Sequence, residues 1–103
     1  MKYYQEKIQA ARRQAILLAL HFAPGYTLNR AVLREQVEHT GYVCSADLFI
    51  TELNWLVEMG YIASDDTPDV YRLTERGSDI ALGHTQVPGV RRPSPGEIDH
   101  GSR

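Results

Sequence analysis

The chain has 103 residues, a formal net charge of −2 and a single cysteine. A domain of this length buries roughly 60–65% of the surface its unfolded chain exposes, so one compact core is feasible and two are not. The acidic balance excludes a protein that coats nucleic acid through its overall field, and the lone Cys44 excludes an internal disulfide.

The N-terminal stretch MKYYQEKIQAARR is polar, and the apolar run behind it is too short to span a bilayer. No membrane is expected as a partner, and the cysteine usage fits a reducing, cytoplasmic setting. From Tyr4 onward the spacing predicts a long helix whose core stripe is Tyr4, Ile8, Ala11, Ala15, Leu18 and Phe22. A second apolar set, Ile16, Leu17 and Leu20, makes its C-terminal half apolar nearly all round. Either the monomer's own helices cover both faces, or Leu17 and Leu20 meet a second copy in a homodimer. Lys2, Lys7, Arg12 and Arg13 are assigned to the solvent side.

Ala23-Pro24-Gly25 ends that helix, and Tyr26-Thr27-Leu28 reads as a short edge strand. Thr27 or Asn29 caps a second helix with Val32, Leu33 and Val37 inward. Arg30 and Arg34 project together one turn apart, either as a cationic face paired with Glu38 or as a phosphate clamp. Tyr42-Val43-Cys44 forms the turn, and Ser45 caps a third helix running to about Met59. At 100° per residue its buried arc holds Ala46, Phe49, Ile50, Leu53, Leu56 and Val57. Its outward arc presents Asp47, Leu48, Thr51, Asn54, Trp55 and Glu58.

Gly60 stops this helix through positive φ. Tyr61-Ile62-Ala63 and Val70 to Leu73 then form a β-hairpin around the turn formers SDDTPD. Thr74 caps a short fourth helix with Ile80, Ala81 and Leu82 inward, and Gly77 allows close packing. Between Gly41 and Val70 stand the acids Asp47, Glu52, Glu58, Asp65, Asp66 and Asp69, with no Lys or Arg. The final stretch, HTQVPGVRRPSPGEIDHGSR, lacks apolar periodicity and is expected to remain extended. Val87, Pro88, Val90, Arg91 and Arg92 form its docking candidate. The expected organisation is a domain over 1–83 and a Pro/Gly-rich extended C-terminal tail over 84–103.

Leu53, Leu56, Gly60, Tyr61 and Ile62, followed by Tyr71, Leu73, Thr74 and Gly77, give this region a resemblance to the winged-helix domains of bacterial and phage regulators. The segments ARRQAILLAL, LNWLVEMGYI, YRLTERG and GHTQVPGVRRPSPGE carry a closer resemblance, to the small winged-helix proteins of Mu-like phages and prophages. The resemblance implies a mainly α winged helix-turn-helix with a small β-hairpin. It also implies a phage-encoded transcriptional regulator or an accessory to DNA handling.

His21, His39, His84 and His100 lack paired metal-ligand spacing, and there is no glycine-rich phosphate loop or nucleophile elbow. No enzymatic activity, metal or cofactor is expected. Two functions remain. In the first, Arg30, Arg34, Arg72, Arg91 and Arg92 contact the phosphates of double-stranded DNA while Thr51 and Asn54 reach bases. In the second, the chain is an adaptor for another phage or host protein. That adaptor would use the acidic third helix and wing, with Leu48 and Trp55 as anchors, unless Trp55 folds under the hairpin.

Overall fold

The structure, a computed structural model, describes residues 2–99. Helix α1 (Lys2–Phe22) is followed by a 3-10 turn (Pro24–Tyr26), strand β1 (Thr27–Asn29), helix α2 (Arg30–His39) and helix α3 (Ala46–Glu58). Strands β2 (Ile62–Ser64) and β3 (Val70–Leu73) precede the short helices α4 (Glu75–Ala81) and α5 (Pro95–Asp99). The fold is mainly helical, with one small antiparallel sheet in the order β1-β3-β2. Tyr71 of the central strand lies opposite Leu28 on one side and Ser64 on the other.

Local chemistry sets the helix ends. The side chain of Asn29 accepts from Val32 N–H at 2.8 Å, Ser45 from Leu48 N–H at 3.1 Å, and Thr74 from Gly77 N–H at 3.0 Å. Each satisfies a first-turn donor that has no intrahelical partner. Gly60, at φ 81°, ends α3. Its N–H reaches the Val57 carbonyl at 3.0 Å while Tyr61 N–H reaches Leu56, also at 3.0 Å, the paired closure of a Schellman motif. This turn throws Tyr61 and Ile62 back under α3, where both are buried.

The core is made where α1, α2, α3 and α4 meet the inner face of the sheet, around Ile16, Leu20, Leu33, Leu53, Leu56 and Ile80. Burying a side chain of this kind contributes about 1.5–3 kcal/mol relative to leaving it in water.

Several sequence expectations are corrected. Leu17 and Leu20 are fully buried within the monomer, so they offer no surface to a second subunit. Tyr4 and Phe22 are 62% and 43% exposed, because the apolar stripe of α1 continues at both ends past the elements that pack on it. Val32 and Ala46 also face outward. Arg12 and Arg13 turn inward instead of facing solvent, and Glu52, counted among the surface acids, is 1% exposed.

After Gly83 the chain does not simply trail away. It returns along α1, buries Val90 and Pro93, and turns into α5. Residues 100–103 of the expected tail lie outside the described residues.

Candidate functional site

Each of the helix-2, wing and tail arginines assigned to phosphate, except Arg92, has an acid beside it. Arg30 Nη1 lies 3.1 Å from Asp69 Oδ1, and Arg34 Nε lies 3.8 Å from Glu38 Oε2. Arg72 Nη1 is 3.4 Å from Asp65 Oδ1, and Arg91 Nη2 is 2.8 Å from Glu97 Oε2. Arg34 also donates to the Cys44 carbonyl at 2.9 Å. The Arg30 pair is reinforced by the main chain: Asp69, held at φ 63°, accepts the Arg30 N–H at 2.7 Å. Surface pairs of this type contribute little stability, but they lower the local positive potential that a phosphate would feel. Arg92 is exposed.

Two of the candidate residues share one recess. Arg30 and Arg34 share a notch of about 500 Å³ with Ala46, Phe49, Ile50 and Asp69, at the N-terminal ends of α2 and α3. Arg72 sits across β3, facing the hairpin loop, and Arg91 lies on the returning C-terminal segment. On α3, Asn54 is exposed, and Thr51 donates its hydroxyl to the Asp47 carbonyl at 3.0 Å. Asp47 and Glu58 on α3 and Asp66 on the hairpin loop are exposed, and Leu48, next to Asp47, is 37% exposed.

Trp55 is only half-buried, yet it is not a bare anchor. The Arg13 guanidinium stacks on its ring at 3.7 Å from the centroid, and Tyr61 meets it edge-on at 6.0 Å. Gly89 lies against the ring as well.

The polar centre that sequence reasoning missed lies behind this stack. Arg12 Nη1 donates to Glu52 Oε2 at 3.1 Å, and Arg13 Nε donates to Glu52 Oε1 at 3.0 Å. One carboxylate thus takes a hydrogen bond from each of two neighbouring arginines and ties α1 to α3. Its signal was legible: Phe49, Glu52, Leu53 and Leu56 fall at i, i+3, i+4 and i+7, which places Glu52 inside the apolar stripe. Also unanticipated is an open groove of about 1060 Å³ between α1, α2 and α5, with Leu18, Phe22, Leu28, His39 and Tyr42 in its lining.

Glu97 closes the C-terminal segment. It accepts from Ser94 N–H and from Ser94 Oγ, both at 2.8 Å, and takes both of its oxygens to Arg91. Partial burial works to raise its pKa, but the Ser94 and Arg91 hydrogen bonds outweigh it and hold the carboxyl below its ordinary 4.5. A carboxyl depressed on folding contributes stability that is complete above its unfolded pKa and lost as pH falls through the folded value. Acidification from neutral pH through that range should therefore release Arg91 before the core unfolds. Amide exchange at residues 89–97, followed against pH, checks this. Burial pushes the Cys44 thiol up, away from the reactive thiolate.

No helix among the described residues is long and apolar enough to cross a membrane. The chain matches no family model and no solved structure. It is 32% identical over 69 residues to "Uncharacterized protein gp26" of Escherichia phage Mu, a match that covers 65% of this chain and 72% of that relative. On that identity and coverage, the chain belongs to the same family as gp26 of phage Mu and is a Mu-like phage protein.

Proposed function

We propose that this Mu-like phage protein is a winged-helix adaptor, acting in the bacterial cytoplasm, that presents α3 and the hairpin loop to a basic surface of another protein. The element order supports the winged-helix reading: three helices, a hairpin whose central strand also pairs with β1, and a cap into a further helix. In such a scaffold α3 would be the groove-reading helix and the hairpin the wing. The observation that carries the adaptor reading is the charge placement. Arg30, Arg34 and Arg72 are offset by Asp69, Glu38 and Asp65, while Asp47 and Glu58 on α3 and Asp66 on the hairpin loop stand in solvent, and Leu48 of α3 is exposed as well. A duplex would meet net repulsion there, and a lysine- or arginine-rich partner would meet attraction.

A DNA-binding regulator is the second reading, and the Arg30–Arg34 notch favours it. Both guanidiniums line one recess beside the first turn of α3, and opening their two ion pairs would free them for phosphate. The two readings separate by fluorescence anisotropy on a labelled duplex at about 50 mM salt, where phosphate contacts are strong. The adaptor reading predicts no saturable binding at micromolar protein, either for the wild type or for Glu38→Gln/Asp69→Asn. Saturable binding that tightens in the double variant, with a log–log salt slope of about −2 to −4, would establish the DNA reading.

A further inference from the structure

We infer that the slot between α1 and α3 is a peptide-binding site, occupied in cis by Gly89-Val90-Arg91 and able to take the same three residues from a second copy of this chain. The slot recognises both main chain and side chains. Arg13 Nη1 donates to the Gly89 carbonyl at 3.2 Å, and the Ala10 carbonyl of α1 accepts the Arg91 N–H at 3.1 Å. Between these two hydrogen bonds Val90 enters the core and is 6% exposed. The Arg91 guanidinium then reaches Gln14 Oε1 at 3.1 Å.

The first position is selective for glycine. Gly89 has φ +89°, and a Cβ on it would stand 2.9 Å from Arg13 Nη1 and 3.2 Å from the Trp55 ring. Together these features read a Gly-Val-Arg sequence lying flat across a tryptophan–guanidinium stack.

The occupant is identified by what the slot already holds. His84, Thr85, Gln86 and Pro88 before it are exposed, so the connector from the body to the segment is held to the core by Val87 alone among its side chains. Every contact in the slot is the same whichever copy supplies the segment; only the connector and the closure entropy differ. The fit also leaves a donor over: Gln14 is 1% exposed, and its Nε2 has no hydrogen-bond partner among the described residues. An imperfectly satisfied buried group of this kind weakens the seated segment in either copy and lowers the cost of its release, the step that must precede exchange. This inference does not rest on the adaptor reading, and its test uses neither a basic partner nor DNA.

The chain has one tryptophan, so its emission reports Trp55 alone. Full-length Gly89→Val, and independently Arg91→Ala, should keep the far-UV helical signal while Trp55 emission moves to longer wavelength and becomes open to acrylamide. A synthetic peptide of residues 84–99 should reverse both changes in Gly89→Val. It should not bind the wild type, whose tethered segment has an effective concentration on the order of millimolar. Concentrated wild type should form a dimer in sedimentation, and Gly89→Val should not. The site is overturned if the peptide leaves Trp55 of Gly89→Val unchanged, or if both variants lose their helical signal, since the segment is then inseparable from the core. Exchange is overturned if the wild type remains monomeric at millimolar concentration.

Discussion

Replacing Glu52 with leucine is expected to cost about 3–5 kcal/mol of folding stability, measured by urea unfolding, because it leaves two arginines in the interior without their shared counter-charge. The side chains of Arg12 and Arg13 are 9% and 11% exposed, so water cannot take over the role of the carboxylate without opening the contact between α1 and α3. Arg12 Nε already lacks a hydrogen-bond partner among the described residues, which leaves this guanidinium the less satisfied of the two. A triple replacement, Arg12→Met/Arg13→Met/Glu52→Leu, should be less damaging than Glu52→Leu alone, since no buried charge is then left unpaired. It should not recover everything, because Arg13 also stacks on Trp55 and holds the Gly89 carbonyl. A Glu52→Leu variant as stable as the wild type would mean that the two arginines escape to solvent at little cost.

Gly77→Ala carries the second large effect. A Cβ at this position would run into the Tyr61 carbonyl and lie 2.8 Å from Leu73 Cδ1. That carbonyl is not free to retreat: it accepts from Thr74 N–H at 3.2 Å and from the Thr74 hydroxyl at 2.9 Å, the same hydroxyl that caps α4. Alanine improves helix propensity over glycine by about 1 kcal/mol in an exposed helix interior. Overpacking against a fixed backbone typically costs about 1–3 kcal/mol and occasionally more, so destabilisation wins. Thermal unfolding of Gly77→Ala should show a lowered midpoint, and an unchanged or raised midpoint would mean that α4 can move away from β2.

How much of this was legible in the sequence depends on the range of the interaction. The sequence marks Ser45 and Thr74 as caps, and Asn29 as one of two choices, because a cap is decided within three residues, and all three residues cap in the structure. Gly60 and the hairpin after it were readable for the same reason. In the Arg12–Glu52–Arg13 cluster the place of Glu52 in the apolar stripe is legible, but its two partners lie about forty positions away and leave no local signal. The returning C-terminal segment holds on through Val90, Pro93 and hydrogen bonds to Ala10, Arg13 and Gln14 of α1, with too few apolar residues to show a period. For the candidate site, the residue types and the one-turn Arg34–Glu38 pair are legible, and the pairs made between elements are not. Asp65 and Asp69 belong to the stretch without Lys or Arg, yet each offsets an arginine from outside that stretch.

In the function proposed above, α3 and the hairpin loop form an acidic protein-docking face whose neighbouring arginines are already offset. Amide-resolved NMR titration of the wild-type chain, with an arginine-rich peptide and a duplex oligonucleotide in parallel, tests it most directly. The peptide should shift amides of Asp47–Glu58 and Ser64–Asp69 while the duplex shifts none. Duplex-induced shifts centred on Arg30, Arg34 and Arg72, with no response to the peptide, would contradict it.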